Sequence, residues 1–212
     1  MYISTDKYEE MYLKGRSESE LEAEVEKLRR EIERLKMKVE SPAYSFDPHQ
    51  LPSDAATISI YRMYFDVAVD NLSKLKGNQN VLNEKELRAK SIDANVDFIS
   101  CLSLTIGKNL DDKFILNIDR EKAVLTEEKN NKPVVSIEKD KSKTLNFLKD
   151  LHIGQWRERY SAELYGYVLD EPIKWQLKIE YQNGFCDVFF EGFGVFPYNF
   201  DSLCRFLGAE LF

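Results

Sequence analysis

Trp175-Gln-Leu-Lys-Ile-Glu-Tyr181, then Gln182-Asn183-Gly184, then Phe185-Cys-Asp-Val-Phe-Phe-Glu-Gly192 is the stretch that decides the fold. Trp175, Leu177, Ile179 and Tyr181 alternate with Gln176, Lys178 and Glu180, the period of a half-buried strand. Asn183-Gly184 supplies the positive φ angles of a two-residue turn, so the stretch predicts a β-hairpin with one dry face. Downstream, Asn199–Leu207 reads as a closing helix. Upstream, strands are expected at Gly154–Tyr160 and Tyr165–Leu169, a helix at Lys141–Leu151, and strands at Asp97–Ile106, Lys113–Ile118, Ala123–Thr126 and Val134–Ile137. Polar turns are expected at Asp119–Lys122 and Glu128–Lys132. The connections are too short for parallel crossovers, so the sheet is expected to be antiparallel.

The front of the chain has the other period. Ser17-Glu-Ser-Glu20 reads as a capping box, and Leu21, Val25, Leu28, Ile32, Leu35 and Val39 follow at alternating spacings of four and three. Ser41-Pro42 closes this helix. A second helix is capped by Ser53, carries Ile58, Tyr61, Phe65, Ala68, Leu72 and Leu75 on one face, and stops at Gly77. A third begins at Asn83, with Glu86 completing its cap. The helices are thus expected at about 18–40, 54–76 and 83–91. The chain reads as α+β: a helical region over residues 1–90, then an antiparallel sheet domain with two packed helices over 91–212.

Two matched stripes make an antiparallel αα-hairpin the simplest pairing. The alternative is a short homodimeric coiled coil, with Val25, Ile32 and Val39 at a and Leu21, Leu28 and Leu35 at d. Glu24 and Glu31 would then face Arg29 and Lys36 of the partner.

Composition narrows the function classes. The 212 residues carry a net charge of −7, with −2 over residues 1–90 and −5 over 91–212. That balance argues against a general nucleic-acid binder, which shows a basic stripe. There is no apolar run long enough to span a membrane. The first sixteen residues are charged and lack a signal core, so a cytoplasmic protein is expected. Cys101, Cys186 and Cys204 are odd in number, show no CxxC spacing and read as reduced thiols, with Cys101 and Cys186, in apolar strand contexts, expected to be buried.

Candidate chemistry is sparse. His49 lies in the loop between the long helices, and His152 follows a helix C-terminus, where a cation suits the dipole. A nucleophilic pair such as Cys186 with His152 requires convergence that spacing does not supply. Asp170 with Glu180 and Gln182 has the outline of the acidic pair of metal-dependent nucleases, in which two carboxylates hold a cation that activates water. Gly184, Gly192 and Gly194 do not form a phosphate loop. Lys139, Lys141 and Lys143 are balanced by Glu138 and Asp140. The expectation is therefore no cofactor, no metal and no catalytic residue.

Eight of the thirteen phenylalanines lie from Gly184 onward, Phe212 among them. Phe189 and Phe190 are adjacent and point to opposite faces of a strand. A patch of Phe190, Glu191, Asp187 and Asp201 is the expected partner-binding surface, because aromatic side chains anchor interfaces.

The pattern Ile153-Gly-Gln-Trp156-x3-Tyr160, Val168-Leu-Asp170, Trp175-x-Leu-x-Ile-x-Tyr-x-Asn-Gly184 and Gly192-x5-Tyr198-Asn-Phe200 resembles a family of uncharacterised proteins from Gram-positive bacteria, their plasmids and phages. Leu13-Lys-Gly-x14-Leu28-Arg-Arg-Glu-Ile-Glu-Arg-Leu35 resembles their helical lead. Those relatives carry Asp-Gly before the tryptophan strand, where this chain has Asp170-Glu171-Pro172. After the hairpin they carry Gly-Ser-Asn-Ala-Tyr-Pro, where it has Gly192-Phe-Gly-Val-Phe-Pro197. The resemblance implies a mobile-element habitat, in which small acidic proteins such as anti-CRISPR proteins act by stoichiometric binding. It points to a protein partner, with a Cas nuclease or ribonucleoprotein as the candidate, rather than to nucleic acid itself.

Overall fold

The computed structural model describes residues 2–209 apart from Phe46, Pro48, Asn78, Asn130 and Asn131. It is α+β and divides into two compact units, Met1–Asn83 and Glu84–Phe212. The boundary lies at Asn83/Glu84 rather than after residue 90. The third helix belongs with the sheet because its Ala89 and Ile92 are buried there, with Ile92 in the sheet's core.

In the first unit, Ser4 caps a short helix α1 (Thr5–Tyr8) that widens into a π-helical turn at Glu9–Leu13. Helix α2 (Glu18–Val39) starts at the expected capping box, with Ser17 and Glu20 bonding reciprocally. These bonds, led by the one from the Ser17 backbone N–H, hold the Glu20 carboxyl down at about 2. Helix α3 (Asp54–Leu75) is capped by Ser53. Between them, Asp54 is buried; burial pushes its pKa up, but hydrogen bonds from Lys38 (2.7 Å), Gln50 (2.9 Å) and Tyr44 (3.3 Å) outweigh that and hold it below its ordinary value.

The α2 stripe packs on α3 within the chain. Leu21, Val25, Leu28, Ile32 and Leu35 are buried and Val39 is half-buried. The charges assigned to an interchain seam are used locally: Glu24 holds Lys27 at 3.0 Å, Glu31 holds Arg34 at 2.8 Å, and Arg29 lies 5.6 Å over the Phe65 ring. The hairpin reading therefore describes this seam, and a second chain is not needed to cover it. On α3, Tyr64 and Val69 are buried while Tyr61 is half-buried and Leu75 exposed, so the stripe lies to one side of its expected line. The cause is the N-terminal segment. Tyr8 stacks on Tyr64 at 4.0 Å, and its hydroxyl donates to Glu24 at 2.6 Å. The Tyr64 hydroxyl accepts from Ile3 N and donates to Ile3 O.

The second unit opens with α4 (Glu84–Ala94), longer than expected, followed by a 3₁₀ turn at Val96–Phe98. Four antiparallel strands follow: β1 (Ile99–Gly107), β2 (Asp112–Ile118), β3 (Ala123–Lys129) and β4 (Lys132–Lys139). The last two extend into the expected Glu128–Lys132 turn. Helix α5 spans Lys141–Leu151, as the sequence predicts. The expected strand at Gly154–Tyr160 is instead a 3₁₀ turn, Ile153–Gln155, and a short strand β5 (Arg159–Ser161). That expected at Tyr165–Leu169 is a 3₁₀ turn, Ala162–Tyr165, and a loop. Strands β6 (Lys174–Tyr181) and β7 (Val188–Phe193) and helix α6 (Phe200–Leu207) complete the unit.

The seven strands form one sheet in the order β4-β3-β2-β1-β6-β7-β5. It is antiparallel except where β5 pairs parallel to β7. Its inner face meets α4, α5 and α6 in a single core. At the centre Trp175 lies 4.6 Å from Phe200, and Trp156 lies edge-on to Trp175 and Phe190. Both buried indoles are satisfied: Trp175 donates to Val195 O and Trp156 to Asn199 Oδ1, each at 2.8 Å. Gly192 is required beside them, because a Cβ there would sit 2.1 Å from Trp175 Nε1.

Edge strand β4 is exposed along nearly its whole length, including Val134, Val135 and Ile137. It carries Pro133, a register shift opposite Glu127/Glu128 and lysines at both ends. These features limit further strand pairing.

Candidate interaction surface

The β6–β7 register decides which side chains reach the outer face. Ile179 pairs with Val188, Leu177 with Phe190 and Trp175 with Gly192. That is the register of a turn centred on Asn183-Gly184, although the ladder ends at Ile179/Val188 and only Gly184 takes a positive φ, +81°. Phe190 is consequently in the core at 0% exposure, and Phe189 is the outward residue at 47%. The expected patch is corrected at its centre.

Around Phe189 the outer face is built in rows. One runs Thr126, Ile115, Ser103, Lys178, Phe189 across β3, β2, β1, β6 and β7. The next runs Glu128, Lys113, Thr105, Gln176, Glu191 and ends at Arg159 on β5. None of these residues belongs to the core. Their charges are paired: Lys178 with Glu180 (2.5 Å) and Asp187 (3.1 Å), Arg159 with Glu191 (3.6 Å), Lys113 with Glu128 (3.8 Å). The hydrogen bonds to Glu180 and Asp187 raise the Lys178 pKa above its ordinary value and hold it charged. Arg159 also lies 5.6 Å over the Phe193 ring. An aromatic centre with a charge-compensated rim has the anatomy of a protein interface.

Asp187 and Glu191 belong to this surface. Asp201 does not: it sits in the first turn of α6, whose buried side chains enter the core under the inner face, and it pairs with Arg205 at 2.5 Å. Phe212 lies outside the described residues.

The carboxylates of the nuclease outline are not brought together. Glu180 stands six steps along β6 from Lys174, roughly 20 Å at ~3.3 Å per residue. Asp170 lies in the loop anchored at the Lys174 end, where Glu171 holds Lys108 at 2.8 Å and Leu169 and Pro172 lie against Gly194. Among the described residues there is no cluster of three His, Cys, Asp or Glu placed to hold a metal. His152 caps α5 in the left-handed conformation with Nδ1 3.6 Å from Asp93, so its neighbour is a carboxylate.

The thiols differ from expectation. Cys186 is exposed in the β6–β7 loop, Cys101 is half-buried on the outer face, and only Cys204 is buried. Burial, and then the charge of Asp201, push the Cys204 thiol up to about 12. A groove of about 330 Å³ in the first unit has Val25 and Leu72 at its wall and Arg29 and Lys76 at its rim. Those cations are already held by Glu26, and by Glu18 and Glu22, respectively.

The class these features define is an α+β protein with two units: one a mostly antiparallel sheet covered by its own helices on one face, the other helical. No family model, curated protein or solved structure matches the chain. No helix among the described residues is long and apolar enough to cross a membrane.

Proposed function

We propose that the protein is a non-catalytic binding protein that inhibits or modulates a macromolecular partner. The observation that carries this reading is Phe189, half-exposed on a sheet face that gives no residue to the core and ringed by paired charges. A large aromatic side chain held out to solvent on a rigid strand costs little entropy to dock, and such residues dominate binding energy. The acidic balance of the chain and the mobile-element habitat implied by its sequence pattern make a Cas nuclease the partner class to test first. Because Asp187 and Glu191 already hold cations, salt is expected to slow association more than it loosens the complex.

The test is a titration of Cas nuclease cleavage with the purified protein. Saturable inhibition near one-to-one stoichiometry, lost in Phe189→Ser, supports the reading. Turnover by catalytic amounts of protein overturns it.

A further inference from the structure

The largest run of exposed apolar side chains in the sheet unit lies elsewhere, in the loop between β5 and β6. Leu164 is 60% exposed, Tyr167 40%, Val168 95% and Leu169 38%. The backbone that carries them is held at both ends. Gly166 N donates to Glu163 O and Tyr167 N to Ala162 O, both at 3.0 Å. Leu169 and Pro172 pack where a Cβ on Gly194 would fall, and Gly194 N donates to Ile173 O at 2.8 Å. Glu171 is tied to Lys108. An ordered loop that turns Val168 almost wholly to water gains nothing for the fold from that side chain.

The flanking charges say what would cover it. Glu163 and Asp170 are exposed carboxylates on either side of the apolar run, and beside Asp170 the Glu171 carboxylate holds Lys108. Carboxylates at these positions repel an anionic lipid surface and complement lysine or arginine. A second copy of the chain is a poor host: the apolar-walled groove of the first unit has its Arg29 and Lys76 already held by glutamates.

The geometry points to the loop Glu163–Asp170 as a preorganised anchor that inserts Leu164, Tyr167 and Val168 into an apolar pocket rimmed by Lys or Arg on a different protein. This rests on the binding reading above and adds a second contact point and the chemistry of the pocket that receives it. Preorganisation is the reason the loop is suited to it, because the ordering cost of binding has been met in the fold.

The experiment places a photoreactive benzoylphenylalanine at position 168, and separately at 189, in cells expressing the full chain, with the crosslinked peptides mapped by mass spectrometry. The expected result is a crosslink from 168 to one protein, at an apolar surface site with Lys or Arg beside it. In the chain without the photoreactive residue, Val168→Glu should reduce co-purification of that protein about tenfold or more with unchanged melting. Crosslinks from 189 alone overturn the anchor and leave the binding reading standing; no crosslink from either position overturns both. A crosslink from 168 to another copy of the chain, or retention of the wild-type protein on phosphatidylglycerol vesicles that Val168→Glu abolishes, also overturns the anchor.

Discussion

The two faces of the sheet are made from the same strands and have opposite chemistry. Across the inner face, Leu125, Leu116, Leu102, Ile179 and Val188 stand in register and all are buried. One residue away, the outer row is Thr126, Ile115, Ser103, Lys178 and Phe189. A one-residue step is all that separates core from surface, because side chains alternate across a strand. The difference teaches where stability resides and where the proposed recognition would act. The inner face is committed to packing, where every side chain is constrained by its neighbours; the outer face is held in place by that packing and is free to meet something else.

The comparison can be broken most severely at its centre. Trp175→Ala removes a fully buried indole and its bond to Val195, and is expected to cost about 3–5 kcal/mol. Phe189→Ser, on the adjacent strand but the other face, is expected to change stability by no more than about 0.5 kcal/mol. Urea denaturation of the two variants checks the pair: similar losses would mean that the outer face is also a packed one.

Thiol alkylation sharpens the same contrast without mutation. Cys186 is exposed, Cys101 half-buried on the outer face, and Cys204 buried in the core. The Cys101 thiol is pushed up first by burial and then by the Glu180 charge, and Cys204 lies at about 12. Since the thiolate is the reactive form, iodoacetamide at pH 8 should modify Cys186 first, Cys101 slowly, and Cys204 only on unfolding. Raising the pH toward 10 should accelerate Cys101 while Cys204 stays protected, as peptide mapping over time will report.

Much of this architecture is legible in the sequence, because period and capping are local. Alternation from Trp175 to Tyr181, the capping box at Ser17, and helix α5 all follow from short-range rules. The quoted tryptophan pattern is also explained by packing. Trp156, Tyr160, Trp175, Asn199 and Phe200 meet in one cluster, and Gly192 makes room for the indole. The candidate surface was half legible. Register about Asn183-Gly184 places Phe190 opposite Leu177, on the face of Trp175, and so puts Phe189 outside. What local pattern could not supply is which segments cover which faces. The N-terminal tyrosines shift the α3 stripe, and Tyr165–Leu169, apolar enough for a strand, is split into the end of a 3₁₀ turn and a loop at Gly166.

A small effect, of opposite sign to the loss at Trp175, is expected at the end of the inner face. The Tyr181 hydroxyl is buried without a hydrogen-bond partner among the described residues, while its ring meets Phe185 edge-on at 4.9 Å. Burial, with the nearby Asp93 charge behind it, pushes the phenol up to about 12, so the group stays neutral through the ordinary range. A buried hydroxyl that has given up water and gained no partner is a cost to the fold. Tyr181→Phe removes that cost and keeps the ring contact, so stability should hold or rise by up to about 1 kcal/mol. A loss of that size instead would mean that the hydroxyl is bonded in solution, by ordered water or by Arg88 and Asp93 drawing closer. It would make this end of the core a polar site rather than the last apolar position of the row.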